Sequence, residues 1–278
     1  MTDLSQAVTL PRLTIITSTY NCAEALTKTA SSIREQSYTN IQWIVADGAS
    51  TDGTLDVITA NLDIVTDWLS EPDSGIYDAW NKACRLIDGD WVLFLGAGDL
   101  IHHQTALIEF WGNAPIDCEK FSILYGNVLM IKADGAPRYI CRKTNLDYWE
   151  FGRPALPPHQ SVFHNKILFS SQEPFDTTYK IAADSKFLLQ ALRIGPGLYI
   201  GITVTKMPDD GVSNNASNYL IAQNEIKRLC VEVGIQVPLI YKIRADARRL
   251  VFFIANSIFP NKIKQQLQKI CDKVRLPI

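Results

Sequence analysis

The stretch Asp90–Asp99, DWVLFLGAGD, runs five apolar residues (Trp91–Leu95) into Gly96, Ala97 and Gly98 and ends on a carboxylate. An apolar run of this length, flanked by polar residues, reads as a strand buried on both faces. The three small residues clear side chains away from its carboxyl end and leave Asp99 bare. Two meanings are open at this point. Asp99 is either a turn former behind a core strand or a carboxylate at a strand end kept clear for a metal and phosphates.

Upstream, strand and helix patterns alternate. LTIITSTY (Leu13–Tyr20) is β-branched and apolar, and CAEALTKTASSIREQS follows with helical spacing at Ala25, Leu26, Thr29, Ala30 and Ile33. IQWIVADG is a second strand, STDGTLDVI opens a helix, and DIVTDWLSEP is a weaker third strand. SGIYDAWNKACRLIDG is a helix ended by Gly89, just before the DWVLFL strand. Four alternations without a hairpin signal predict a doubly wound α/β fold, with a mostly parallel sheet covered by helices on both faces. After Asp99 the pattern loosens. TALIEFWGN is a short helix, and ILYGNVLMI and PRYICR form a hairpin. The Pro-rich FGRPALPPHQSVF precedes a helix in YKIAADSKFLLQAL, and GLYIGITVTKM is a further strand ahead of PDDGVSNN.

Composition sets limits. The 278 residues are 47% hydrophobic and 20% charged, with a formal net charge of −2, which gives nucleic acid no foothold as a partner. Charge is uneven along the chain, because residues 241–278 carry nine Lys/Arg against two acids. The six cysteines, at 22, 84, 118, 141, 230 and 271, form no C-x-x-C pair and are expected as reduced thiols, with Cys22 and Cys84 in helices. No basic-then-apolar leader opens the sequence, and LVFFIANSIF, ten residues, is its longest apolar stretch. Both features lead to the expectation of a cytoplasmic protein, with membrane contact only by docking.

In sheets of this kind ligands bind outside the carboxyl ends of the strands. Those ends here are Ser18–Asn21, Asp47, Glu71 with Asp73, and Asp99. Asp47 sits between a strand end and a helix start, where a carboxylate accepts either a nucleobase N–H or its own turn. One hard carboxylate, with phosphates and waters completing the shell, suits Mg²⁺ or Mn²⁺. A G-x-G-x-x-G fingerprint, a P-loop, zinc-spaced His and Cys, and a G-x-S-x-G elbow are all missing from the sequence.

Taken together, TIITSTYN, ADGASTDGT, SEPDSGIYDAWNKA, WVLFLGAGD, HQSVF, IAADSKFLL and DGVSNN resemble, in order and spacing, the family 2 glycosyltransferases of the GT-A fold. The similarity runs over about residues 11–215 and is strongest to the bacterial branch that builds capsules, O-antigens and exopolysaccharides. It implies a nucleoside pocket of Ser18, Tyr20 and Asp47, with Tyr20 stacking on the base. Asn81, Asp73 and Asp78 would line ribose and phosphates, and Asp99 would be the last acid of a D-x-D-type metal motif. Acids common in the family at the positions of Gly96 and Gly98 are absent here. Asp184 falls in the slot of the catalytic base, and His159 and Gln160 fall near the acceptor. The alternative for His159 is a structural loop histidine.

The expected organisation is a catalytic domain over 1–215, with a donor half at about 11–100 and an acceptor half at about 101–215. A basic helical extension covers 216–278. The expected reaction is inverting transfer from a UDP-sugar to a glycan or lipid-linked acceptor, with Mn²⁺ or Mg²⁺ on Asp99 and proton removal by Asp184. A nucleotidyltransferase that makes nucleotide sugars would want a Gly-rich loop and a basic residue where this chain reads STYNCAEA. A non-catalytic binder of nucleotide sugars is the other alternative. In residues 241–259, Arg244, Arg248 and Arg249 alternate with apolar positions, and Ile263, Leu267 and Ile270 continue at helical spacing. That tail reads either as a helix packed on the domain or as a peripheral contact with anionic lipid.

Overall fold

A computed structural model describes residues 10–243, apart from 133, 141–144, 151–152 and 209–215, together with 246–247. Strands β1 (Leu13–Thr19), β2 (Ile41–Asp47), β3 (Val65–Ser70) and β4 (Trp91–Phe94) are parallel, in the spatial order β3-β2-β1-β4. The connections are α1 (Ala23–Arg34), α2 (Thr54–Thr59) and α3 (Ile76–Cys84). Alternate side chains of each strand leave by opposite faces, and both faces are covered. Leu13, Ile15, Trp43, Val45, Trp91 and Leu93 pack with α1 and with α4 (Ala106–Asn113). Ile16, Ile44, Ala46, Val92 and Phe94 pack with α3, α5 (Ala183–Ile194) and α6 (Ala216–Glu232). Burial on both faces is why these strands read as unbroken apolar runs.

Beyond β4 the sheet becomes mixed. β6 (Ile123–Ile131) pairs in the expected hairpin with β7 (Pro137–Ile140). β10 (Val162–Asn165) then runs antiparallel between β4 and β6, while β11 (Gly197–Pro208) is parallel to β6. The short β5 (Leu100–Ile101) lies antiparallel at the far edge of β11. A parallel neighbour needs a long crossover. Between β6 and β10 the described chain makes only the hairpin and the small ribbon of β8 (Asn145–Glu150) with β9 (Arg153–Ala155), with no α-helix, and β10 enters reversed.

Helix α6 is integrated into the sheet core through Ile226, Leu229 and Cys230, followed by Val233. Residues 244–245 and 248–278, most of the basic tail, lie outside the described residues, as do 209–215 of the PDDGVSNN stretch. Cys22 stands just before α1 and not within it, and Cys84 closes α3; both are free thiols, as is Cys118. Cys141 and Cys271 are outside the described residues. No helix among the described residues is long and apolar enough to cross a membrane.

Candidate active site

The parallel register aligns Thr19, Asp47 and Ser70 at the carboxyl edge of β1, β2 and β3. Asp47 is 1% exposed and takes four hydrogen bonds. Oδ1 accepts from Thr19 Oγ1 (3.0 Å) and Ser50 Oγ (2.5 Å), and Oδ2 from the Ser50 N–H (2.9 Å) and Ser70 Oγ (2.7 Å). Burial works against its charge, yet these bonds together outweigh it and hold the carboxyl below its ordinary value. Asp47 thus ties three strand ends together. The adjoining loops are cross-linked as well. The Asn21 N–H donates to Ser50 Oγ (2.8 Å) and the Thr51 N–H to Asn21 Oδ1 (2.8 Å). Asn21 (φ 47°) and Ala49 (φ 61°) both adopt the left-handed region, at a cost of roughly 1 kcal/mol or more each.

Above this frame Tyr20 is 67% exposed, a ring free to receive a flat ligand, with Ser18 half-buried behind it. Gly48 is the floor. A Cβ there would lie 2.5 Å from Asp73 Oδ2 and 3.4 Å from Cδ2 of the Tyr20 ring. Asp73 Oδ1 accepts the Gly75 N–H (2.9 Å), which holds it over that floor. Asp78, in the first turn of α3, accepts from the Ser74 N–H (2.9 Å), and that bond most of all lowers its carboxyl.

Lys82 escaped the sequence reading. Its Nζ lies 3.0 Å from Glu71 Oε1 and 3.6 Å from Asp78 Oδ2, and it donates to the Pro72 carbonyl (2.8 Å). Burial opposes its charge, but the surrounding acids prevail and raise it above the ordinary lysine value. The signal for it was the Asp78–Lys82 spacing of four on a helix. Asn81, expected along the ribose and phosphates, is buried and fully engaged elsewhere. Its Nδ2 donates to the Phe175 carbonyl (2.7 Å), and its Oδ1 accepts the Phe175 N–H (2.9 Å). That pair braces α3 against the segment leading to α5.

Asp99 answers the opening ambiguity in part, because it does act in a turn. Its Oδ2 accepts the Gly96 N–H (3.1 Å), and its carbonyl accepts from Thr29 Oγ1 (2.9 Å). Gly98 needs its freedom, at φ +96°, and a Cβ at Gly96 would come within 2.9 Å of Asp99 Oδ2. Gly96 therefore leaves room for this carboxylate, which is itself buried. Among the described residues no group of three or more His, Cys, Asp or Glu side chains gathers to hold a metal. A cation of the Mg²⁺ or Mn²⁺ kind still fits, since it takes one or two carboxylates and completes its shell with phosphates and water.

Asp184 opens α5. Its Oδ1 accepts the Ser185 N–H at 2.6 Å. Burial raises its carboxyl above the ordinary value, against the Ser185 bond and the Arg153 guanidinium. The residue as a whole is half-buried. The Tyr77 hydroxyl, in the first turn of α3, donates to the Ile181 carbonyl (2.6 Å). Because α3 starts above the ends of β2 and β3, that bond brings the start of α5 to the same edge. His159 is buried in an aromatic cluster, its ring 5.2 Å from both Phe94 and Trp80, and burial pushes it down to about 3. It is a neutral core histidine. Gln160 beside it is half-buried in a 3-10 turn.

Residues 14–168, more than half of the chain, match the family described as Glycosyl transferase family 2. A PGL/p-HBAD biosynthesis glycosyltransferase of Mycobacterium bovis is 28% identical over 247 residues, covering 83% of this chain and 88% of that protein. Among solved structures, S. aureus TarS 1-349 in complex with UDP-GlcNAc superposes with a TM-score of 0.61 at 17% identity, over 82% of this chain and 68% of that one. The mannosyltransferase PcManGT from Pyrobaculum calidifontis, in complex with GDP-Man and Mn2+, gives a TM-score of 0.58 at 17% identity, over 96% and 81% of the two chains. The α/β sheet is that of the GT-A glycosyltransferases, and the protein belongs to glycosyl transferase family 2.

Proposed function

We propose that the protein moves one sugar from a nucleoside diphosphate sugar, with UDP as the nucleotide, to a hydroxyl of a glycan or lipid-linked acceptor in bacterial surface polysaccharide synthesis. The observation that carries this reading is the pair of acids at one sheet edge in unlike surroundings. Burial raises the Asp184 carboxyl above its ordinary value, whereas the Asp99 carboxylate lies behind the strand end in room that Gly96 leaves for it.

Tyr20 stacks on the base above the Gly48 floor, Ser18 and Asp47 complete the nucleoside pocket, and Asp73 and Asp78 with Lys82 border the ribose and phosphates. Asp184 takes the proton from the attacking hydroxyl as general base. A single displacement needs one base and no enzyme nucleophile, and it inverts the anomeric centre. Asp99 would hold Mn²⁺ or Mg²⁺, and such a cation offsets the charge that develops on a leaving diphosphate. Gln160 lies on the acceptor side.

Residues 241–278 extend the reading to a lipid surface on the cytoplasmic side. The chain enters that basic stretch through the exposed Leu239, Ile240 and Ile243. Each Lys or Arg near an anionic surface adds about 1 kcal/mol. Nucleoside diphosphate release from UDP-GlcNAc and GDP-mannose, with and without Mn²⁺, tests the enzyme reading. Metal-dependent release supports it, and binding without release points to a non-catalytic binder. Failure of the full chain to co-sediment with anionic liposomes at low salt would remove the lipid contact.

A further inference from the structure

Glu225 is a buried acid on α6, and its carboxylate takes three successive backbone N–H groups from the entry of α5. Oε1 accepts from Lys180 (2.6 Å), and Oε2 accepts from Ile181 and Ala182 (2.9 Å each). The residue that locally caps α5 is Ala182, with no side-chain acceptor of its own. The first N–H groups of a turn must find partners, and here a helix more than forty residues away supplies them. From the other side the Tyr77 hydroxyl holds the carbonyl of Ile181 (2.6 Å), so that one residue is gripped at both its N–H and its C=O.

The same face of α6 holds the flanking segments. Arg228 Nη2 donates to Thr178 Oγ1 (2.8 Å), and its guanidinium stacks 4.3 Å over the Tyr179 ring. Glu232 Oε2 accepts from the Tyr179 hydroxyl (2.9 Å) and from Lys186 Nζ (2.6 Å). Positions 225, 228 and 232 share one side of a helix. They fasten residues 178–186 on both sides of Asp184.

We propose that Glu225 is the positioning residue for the Asp184 base, fixing the 180–182 backbone and so the aim of the Asp184 carboxylate at the acceptor hydroxyl. The proposal rests on the reading of Asp184 as base. Packing alone does not account for a carboxylate here, because α6 already docks through Ile226, Leu229 and Cys230. A buried anion is retained only where donors converge on it, and the donors it meets are those of the loop that carries the base.

The test uses the full chain with Mn²⁺ and UDP-GlcNAc or GDP-mannose, following nucleoside diphosphate release with water as acceptor. Glu225→Gln keeps the shape and removes the charge, and Glu225→Asp keeps the charge on a shorter arm. A displaced base costs rate more than affinity, so kcat of Glu225→Gln should fall about ten- to a hundredfold while the donor KM moves less than about threefold. The acid limb of the pH–rate profile should shift to lower pH, because a loosened α5 start admits water to Asp184, whose carboxyl is raised chiefly by burial. The Arg153 guanidinium on β9 and the neutral Tyr77 hydroxyl on α3, the groups that face Asp184 from other elements, stay in place.

A folded Glu225→Gln with wild-type kcat and acid limb overturns the proposal. So does a rate loss that only tracks the folded fraction with the limb unmoved. If Glu225→Gln does not fold, Glu225→Asp must show the same split, and its absence is equally decisive. Asp184→Asn turning over at the wild-type rate removes the base reading and this proposal with it. Asp184→Asn inactive beside an unaffected Glu225→Gln removes this proposal alone.

Discussion

The Tyr77 hydroxyl donates to the Ile181 carbonyl at 2.6 Å across 104 residues of sequence, joining the first turn of α3 to the entry of α5. The start of α5, which carries Asp184, is therefore braced against α3, which carries Asp78. Asn81 and Phe175 form a second, two-bond brace between the same parts, so the fold should survive loss of the first. Tyr77→Phe is expected to cost about 1 kcal/mol of stability and to lower kcat with little change in donor KM. Denaturant unfolding and steady-state kinetics check both, and an unchanged kcat would detach Tyr77 from the site.

Asp184→Asn should abolish transfer, by about 10²–10⁴-fold, and leave donor binding nearly intact. Its effect on stability has the opposite sign. The folded carboxyl sits above its unfolded value, so the folded state binds this proton more tightly. Stability from this group is then complete below the unfolded value and is lost as pH rises through the folded one. Asp184→Asn is accordingly more stable than wild type at neutral pH, and the advantage fades in acid. Urea unfolding at pH 7 and near pH 4 measures the difference, and an Asn variant that is less stable at pH 7 contradicts the burial argument.

Asp99→Ala should remove metal-dependent donor binding and activity together, because no cluster of three ligands among the described residues could compensate. Within the turn the change removes the bond from the Gly96 N–H. Isothermal titration of donor with and without Mn²⁺ separates the two effects. Wild-type activity unaffected by EDTA would leave Asp99 with its turn role only.

His159 makes a prediction about acid stability. Burial lowers its folded value to about 3, and neighbouring His164 is also held well below its ordinary value. For a depressed base the unfolded chain binds the proton first, so stability is lost as pH falls from about 6.5 toward 3. His159→Phe should flatten that dependence while leaving stability at pH 8 within about 1.5 kcal/mol. Thermal melts from pH 8 to pH 4 would show it, and an equally steep acid loss in the variant would place the sensitivity elsewhere.

The parallel half of the sheet was legible because its strands are buried on both faces and so read as apolar runs, as Leu13–Ile16 and Trp91–Phe94 do. The reversed β10 was not, since strand direction depends on how the intervening loop returns and leaves no periodic trace. The positions of Asp99 behind a strand and of Asp184 at a helix start were legible in the sequence. Asn81 was misread for a physical reason: helical position alone cannot tell a side chain facing the ligand from one bonded to Phe175. Lys82 was visible in principle as the partner of Asp78, four residues on. Glu225 carried no local signal, because its three partners are 43 to 45 residues away in sequence.

Gly48 gives the sharpest test of the donor pocket. Its N–H donates to the Thr19 carbonyl (2.9 Å), so the residue cannot withdraw from the edge, and only a hydrogen separates its Cα from the space shared by Tyr20 and Asp73. A methyl at this point meets Asp73 Oδ2 at 2.5 Å, and that carboxylate is held in place by the Gly75 N–H. Something must then move, and the parts with room to do so are the half-buried Asp73 and the exposed Tyr20 ring, not the four-bonded, buried Asp47. Gly48→Ala should therefore leave stability within about 1 kcal/mol, as for changes away from the core. It should raise the donor KM by roughly tenfold or more through lost pocket geometry, with a smaller effect on kcat. Donor titration followed by intrinsic fluorescence, alongside a thermal melt, reads both quantities. Unchanged donor affinity in a folded Gly48→Ala would mean that the nucleotide does not lie over this glycine, and the stacking role of Tyr20 would fall with it.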